Sequence, residues 1–521
     1  MTRRTNLRFA AALACALAVN AHAVDPAAFD AAVEQTVRRY QLPGIAVGVI
    51  EDGRIVYTKT HGELAVGSGE RIDRDTLFKI ASNSKAMTAA VLARLVDQGK
   101  LKWDDPVTKY LPQFRMHDPW VTQHMQVRDL LIHNSGLGLG AGDLMLWPEP
   151  NGFQRADIIA GLAHLKPTHS FRSHYAYDNL LYVVAGEVAA AAGGAPYEEL
   201  VRREIFQPLK LDRCQVGEWR RSEVGNVAQP HMRTGAGNAV IREDGDVVPD
   251  ITSMAAGGIR CSLDDMLAWM GQWLDPSRAP GWLSETQRKA VWTAHMPMPV
   301  SKRMKSWDNS HFSAYGYGWR LSDVDGAWKV AHTGTLAGMY SSVILLPDRK
   351  VGIVVLINGE GEDARAVLGE VLTKHYTAPA QKVDVAYYAE AIAREDADSV
   401  QSQLQARARA AQRRPASVQE LRTHTGRYRD PWFGDVALCS ADGRVRFKAA
   451  KSPMLTGTVM KAGEGWLVDW DEDSVDAEAW LHFHPAVAGA PQRMTVSHVD
   501  PEADFSYDYA DLDFRRISAC E

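Results

Sequence analysis

Cysteine is scarce in this chain, five among 521 residues, and an excess of positive charge is lacking altogether. Lys plus Arg number 58 against 64 Asp plus Glu, a net charge of −6. A nucleic-acid partner would want a basic face, so none is expected. The longest apolar run near the start, 9–19, falls well short of the roughly 20 residues that span a bilayer. No G-x-S-x-G string occurs, which removes the nucleophile elbow of the α/β-hydrolases. The Gly-rich stretch 136–142 has neither a strand plainly leading into it nor a Walker lysine after it. It reads as a flexible loop beside a cleft, not a nucleotide loop. The acids Asp469, Asp471, Glu472, Asp473 and Asp476 lack EF-hand spacing and read as a solvated loop. His482 and His484 share one strand face, but no Cys or carboxylate cluster of zinc spacing accompanies them. No metal and no cofactor are expected.

What is present is a globular composition, 46% hydrophobic and 23% charged, in a chain long enough for two or more domains. Residues 1–23 carry the marks of a secretory signal. Arg3, Arg4 and Arg8 form a positive region, 9–19 an apolar one, and Ala21-His22-Ala23 a small-residue cleavage site. Cleavage after Ala23 removes three Arg and no acid, taking the charge from −6 to −9. A periplasmic or secreted protein is expected, with no membrane span once the signal is gone. Cys15 leaves with the signal, while Cys214, Cys261, Cys439 and Cys520 remain. Four cysteines allow three pairings in an oxidising compartment. Cys214 with Cys261 and Cys439 with Cys520 would keep each bridge inside one domain; buried free thiols are the alternative.

Residues 25–40 read as a helix. Residues 44–50 and 54–60 flank the turn Glu51-Asp52-Gly53 and read as a hairpin. A matching β-rich pair, 339–346 and 351–357, precedes a helix at 362–376. Between them the pattern is helical, notably at 84–97, 127–132 and 180–191. Strands from both ends of this region are expected to share one antiparallel sheet, with a helical subdomain inserted: an α+β layout. Residues 379–420 read as a helical linker, with one helix over 385–411. From 421 onward short strand-like runs recur at 425–428, 435–439, 445–449, 465–469, 479–484 and 493–498, as in a small β-barrel or sandwich.

Three strings carry chemistry. Ser82-Asn83-Ser84-Lys85 opens the 84–97 helix, and one turn puts Ser82 and Lys85 on the same face. A serine hydroxyl is a weak nucleophile that needs a base, and a lysine serves only where burial and nearby positive charge lower its pKa. Alone this string is weak, since a Ser cap beside a solvated Lys reads the same way. Tyr177-Asp178-Asn179 follows about a hundred residues later, and His332-Thr333-Gly334 lies on the strand before the last hairpin.

In this order and spacing the three strings resemble the serine β-lactamases and penicillin-binding proteins, most of all the class C β-lactamase, D-aminopeptidase and esterase branch. The segments Phe78-Lys79-Ile80-Ala81, 127–137, Ala256-Gly257-Gly258 with Ser262, and Tyr315-Gly316-Tyr317-Gly318-Trp319 fit the same pattern. The resemblance covers about 26–376, within a hydrolase domain expected at 24–378. It implies a β-lactamase-like sheet flanked by helices and an acyl-enzyme on Ser82. Lys85 and Tyr177 share proton transfer, with Tyr177 as phenolate. Asn179 holds the substrate amide and the lysine. His332, Thr333, Gly334 and Thr335 bind substrate, with the backbone N–H groups of Ser82 and Thr335 as oxyanion hole. The chain departs from the pattern at His332, where β-lactamases and carboxypeptidases usually carry the Lys that binds a substrate carboxylate. Small-molecule or short-peptide substrates, cleaved at amide or ester bonds, are therefore ranked above β-lactams. A true β-lactamase is one alternative, and a non-catalytic penicillin-binding or sensor protein on the same fold is another. Residues 421–521 resemble the lipocalin-like barrel appended to β-lactamase-related proteins, with Tyr507, Asp508, Asp511 and Leu512 near its end. Oligomerisation is compatible with that resemblance.

Overall fold

The computed structural model describes residues 25–485 and 491–520. The expected signal segment, 1–23, lies outside the described residues. The first hairpin, Gly44–Glu51 with Arg54–Gly62, joins the late strands Val351–Ile357, Met339–Leu346 and Ala327–Leu336 in one sheet. Arg320–Val324, Ser313–Tyr315 and Met296–Pro297 complete its eight strands, and every neighbouring pair is antiparallel. The two ends of the domain meet at its centre, in register from Ile45 opposite Ile357 to Glu51 opposite Val351. Both central strands are nearly continuous apolar runs, so both faces must be covered. One face is covered by the helices Pro26–Tyr40 and Glu362–Thr377, through Phe29, Val33, Val367, Leu368 and Leu372. On the other, Gly48 makes room for Leu263 and Leu267 of the helix Leu263–Leu274.

The inserted subdomain is built around the helices Ser84–Asp97 and Leu180–Gly193. Val127–Leu131 departs from the expected α-helix. It is a 3₁₀ segment, opened by a reciprocal capping box between Gln126 and Asp129 and ended by Ile132 and a left-handed His133. The expected helix at 385–411 is two helices, Val385–Glu395 and Ala397–Ala411, meeting at Asp396.

In the C-terminal part eight strands close on themselves as a meander: Gly426–Asp430, Gly434–Ala441, Arg444–Ala449, Thr456–Ala462, Gly465–Trp470, Ala479–His484, Arg493–His498 and Asp513–Ser518. The last pairs with the first, so the barrel has no open edge between them. Arg413–Pro415 adds a short strand beside Thr456–Ala462. Two barrel strands escape the alternation pattern. Thr456–Ala462 carries a glycine that the Asp469 carbonyl crowds, and Asp513–Ser518 exposes Arg515 on an otherwise short run. His482 and His484 meet Ser497 and Thr495 hydroxyls at 2.7 and 2.8 Å. Cys214 is bonded to Cys261 and Cys439 to Cys520, the second bridge tying the chain's end to the Gly434–Ala441 strand.

Candidate active site

Ser82 sits in a 3₁₀ turn, Ala81–Asn83, that runs straight into the Ser84–Asp97 helix. Ala81 holds a left-handed backbone, φ 48°, a conformation that costs a non-glycine residue about 1–3 kcal/mol and persists only where the surroundings fix it. Three hydrogen bonds fix it here. Asn83 Nδ2 donates to Ser341 Oγ at 2.8 Å, Ser341 Oγ donates to the Ile80 carbonyl at 2.7 Å, and the Ile259 N–H donates to Ser84 Oγ at 3.2 Å. The Ala327–Leu336 strand crosses against this turn. A Cβ on Gly334 would stand 2.2 Å from the Ile80 carbonyl oxygen. Glycine alone lets the strand approach the Ile80–Ala81 segment so closely.

Lys85 is completely buried. Its Nζ lies 2.7 Å from Asn179 Oδ1, 2.8 Å from the Ala256 carbonyl and 3.1 Å from Ser82 Oγ. Burial, with the Arg320 charge adding to it, lowers its pKa to about 7 against the opposing pull of Asp143 and Asp178. A neutral amine has two N–H groups and one lone pair. Asn179 and Ala256 are pure acceptors here and take both hydrogens, which leaves the lone pair facing the Ser82 hydroxyl.

Tyr177 and Asn179 enter on the segment leading into the Leu180–Gly193 helix. The Tyr177 hydroxyl interacts with Ser82, and burial pushes its pKa up to about 12. The resting group is therefore a phenol, in place of the phenolate implied by the sequence resemblance: desolvation of the buried ring outweighs the opposing pull of the Arg320 guanidinium. Lys85 Nζ stands 4.9 Å from the Tyr177 ring centre. Asn179 is oriented from behind, its Nδ2 donating to Asp143 Oδ2 at 2.8 Å.

His332 is buried and neutral by construction. The Tyr315 hydroxyl meets its Nε2 at 2.8 Å and its Nδ1 meets the Thr333 carbonyl at 2.7 Å. A carbonyl only accepts, so Nδ1 carries the hydrogen and Nε2 accepts from Tyr315. Burial holds the ring well below the ordinary histidine range, reinforced by Arg320 and Lys85. Arg320 Nη1 donates to Thr333 Oγ1 at 3.0 Å, and its guanidinium lies 5.7 Å from the Tyr177 ring centre. Ser82, Lys85, Tyr177, Asn179 and His332 thus converge, with Thr333, Gly334 and Thr335 on the strand beside them. A cavity of about 690 Å³ is lined by Tyr175 with Arg172, Asn134, His295 and Met298; Ser82 is not among its walls.

Three site residues, Asp143, Arg320 and Phe505, carry no signal in the sequence, and Asp508 was legible only as part of the barrel's end. Asp143 and Arg320 belong to none of the three strings. Phe505 and Asp508 come from the barrel: the Phe505 ring packs edge-on against Tyr177 at 6.0 Å, and Asp508 Oδ2 accepts from the Gly142 N–H at 2.7 Å. The 136–142 stretch is accordingly pinned, the Gly140 N–H also donating to the Tyr177 carbonyl at 2.8 Å, where a flexible loop was expected.

Esterase EstB of Burkholderia gladioli is 29% identical over 383 residues, 65% of this chain and 94% of that one. The D-alanyl-D-alanine-carboxypeptidase/endopeptidase AmpH of Escherichia coli is 24% identical over 385 residues, 68% of this chain and 91% of that one. The octameric penicillin-binding protein homologue from Pyrococcus abyssi superposes with a TM-score of 0.59 at 20% identity, covering 90% of this chain and 98% of its own. This chain spans about three fifths of the length of several other curated relatives it matches. Residues 410–516 match a domain of unknown function, DUF3471. Residues 29–376, with the whole Ser82 cluster inside them, match the beta-lactamase family, and the chain belongs to that family.

Proposed function

We propose that the protein is an exported serine hydrolase that acts through an acyl-enzyme on Ser82, cleaving amide or ester bonds of small or short-peptide substrates. The observation that carries this reading is the placement of Lys85 Nζ, 3.1 Å from Ser82 Oγ with its other two directions occupied by acceptors. An amine so held is a base matched to neutral pH. It takes the Ser82 proton as the oxygen attacks the substrate carbonyl, and the oxyanion develops between the Ser82 and Thr335 backbone N–H groups. One such donor is worth about 3 kcal/mol in the transition state. The Tyr177 phenol is placed to hand a proton to the departing nitrogen or oxygen and recover one from Lys85. Water then cleaves the acyl-enzyme by the reverse path. The relatives named above, an esterase and a carboxypeptidase/endopeptidase, act on the two bond types proposed. The neutral His332 disfavours a β-lactamase, which needs a cation at that position. The N-terminal 1–23 segment supports export to the periplasm or beyond.

A fluorophosphonate probe tests the proposal. It should label the wild type at Ser82, and Ser82→Ala should abolish labelling. The labelling rate of the wild type should rise with pH through about 7, where Lys85 loses its proton. Labelling that persists in Ser82→Ala, or a rate flat from pH 5 to 9, contradicts the reading.

A further inference from the structure

Ser82 stays outside the walls of the cavity of about 690 Å³, yet two of those walls adjoin the residues around it. Asn134 follows His133, whose ring lies 4.3 Å from that of Tyr177. Tyr175 stands two residues before Tyr177, and its hydroxyl is hydrogen-bonded to Arg320. The volume is of the size that holds a small organic ligand, and the chemistry of the lining says which kind.

The lining carries a single acid, Asp129, and that acid is fully used. Arg172 takes both of its oxygens, through Nε at 2.9 Å and Nη2 at 2.6 Å. The Gln126 N–H and Asn134 Nδ2 add bonds at 2.9 and 3.2 Å. Arg128 is left as an exposed guanidinium on the cavity wall, with no ion pair and no side-chain hydrogen bond among the described residues. Its charge is felt at His295, which is neutral: Nε2 donates to the Ala290 carbonyl at 2.8 Å, and burial keeps the ring below the ordinary histidine range. Asn134 makes a second, independent demand. The residue is 4% exposed, its Nδ2 is spent on Asp129, and its Oδ1 is buried with no partner. An amide oxygen so orphaned costs about 1–3 kcal/mol, and a donor from a ligand removes that cost. Ile132 and Met296, both buried, and Met298 supply an apolar side, where methionine adapts to an irregular guest.

We propose that this cavity is a second binding site, separate from the Ser82 cleft, for an apolar monocarboxylate with a hydrogen-bond donor close to its acid group, as an N-acylated apolar amino acid presents. The carboxylate meets Arg128, the amide N–H meets Asn134 Oδ1, and the apolar side chain lies on Ile132, Met296 and Met298. A bare inorganic anion would answer Arg128 and leave Asn134 orphaned. A neutral apolar molecule would answer neither. Because Ser82 is not in the walls, the ligand is held whether or not Ser82 carries an acyl group.

The inference does not use the chemistry of Ser82, and its test runs on the full chain carrying Ser82→Ala, so that no probe is turned over. N-acetylphenylalanine, each enantiomer in turn, is titrated calorimetrically against two analogues of the same shape. N-acetylphenylalaninamide lacks the charge, and O-acetyl-3-phenyllactate has an oxygen in place of the N–H. The better enantiomer should bind one-to-one and about tenfold tighter than either analogue, the scale of a hydrogen bond to a charge or of an orphaned buried acceptor. Arg128 has no partner to lose, so Arg128→Gln in the same background should fold unchanged. It should erase the preference for the carboxylate and keep the preference for N–H over oxygen. Wild type labelled at Ser82 with the fluorophosphonate should bind the probe as tightly as unlabelled protein. Three probes bound alike or not at all, or a carboxylate preference that survives Arg128→Gln, overturns the inference. So does loss of binding on labelling, which would put the probe in the Ser82 cleft. Should Ser82 resist labelling, the hydrolase reading is what fails, and the titrations on Ser82→Ala still decide this one.

Discussion

Around Lys85 nearly every titratable side chain is pushed toward its neutral form. Burial holds Asp143 well above the carboxylate range and Asp178 up to about 7, and it holds His133 well below the histidine range. The consequence is sharpest at Asp143, whose Oδ2 orients Asn179 while its Oδ1 is buried without a hydrogen-bond partner. A protonated carboxyl suits that setting, since a bare carboxylate would leave a charge unanswered. Asp143→Asn, equally neutral and of the same shape, should therefore keep kcat/KM within about threefold, because a well-matched replacement leaves no group unpaired. Asp143→Ala orphans Asn179 Nδ2, a penalty of about 1–3 kcal/mol, and should lower kcat/KM by about 10–100-fold with little change in global melting temperature. Steady-state kinetics on the pair checks this. Equal damage from both substitutions would mean that the ionised form is the working one.

At the scale of elements, the strand bearing His332 to Thr335 depends on a single missing side chain. With 2.2 Å between the Ile80 carbonyl oxygen and the place of a Cβ at Gly334, neither backbone can yield without shifting the Ser82 turn. Gly334→Ala should abolish fluorophosphonate labelling at Ser82 while near-ultraviolet dichroism of the distant barrel tryptophans is unchanged; normal labelling would show that the strand and turn are free to part. The glycine was legible in the sequence as part of a motif, as were the two hairpins, whose apolar runs and turn residues act over a few positions. The 3₁₀ segment Val127–Leu131 was not, because its apolar spacing suits either helix and the choice is made by a capping box and a left-handed His133. Thr456–Ala462 was hidden by Gly457, which reads as a strand breaker yet is required where the Asp469 carbonyl crosses. Ser82, Lys85, Tyr177 and Asn179 could be found because their order along the chain is itself a pattern. Arg320 and Asp143 act through geometry alone, and nothing local distinguishes them from other charged residues.

Across the whole molecule the barrel and the hydrolase domain meet at the site. Asp508 reaches Gly142 across 366 positions of sequence, and Gly142 adjoins Asp143, which orients Asn179 and through it Lys85. Lys451 of the barrel pairs with Asp157, and its carbonyl accepts from the Gly152 N–H at 2.6 Å, so the docking extends beyond one loop. Burial, reinforced by Asp511, raises the Asp508 pKa to about 7. A carboxyl raised in the folded state binds its proton there between about pH 4 and 7 while the unfolded chain has already released it. The unfolded state then binds fewer protons, and stability falls as pH rises through that window. Asp508→Asn can keep the Gly142 hydrogen bond and has no proton to lose. Its melting temperature relative to wild type should therefore climb as pH goes from 5 to 8, by about 2 °C or more, since 1 kcal/mol moves the midpoint of a large domain by a few degrees. Differential scanning calorimetry at both pH values reads the gap. The comparison has to be made against the variant, because His133 and His332, buried neutral, drive wild-type stability in the opposite direction between pH 5 and 7. A gap that stays constant would mean that Asp508 is ionised throughout, and that its contact with Gly142 is an ordinary charged one open to solvent.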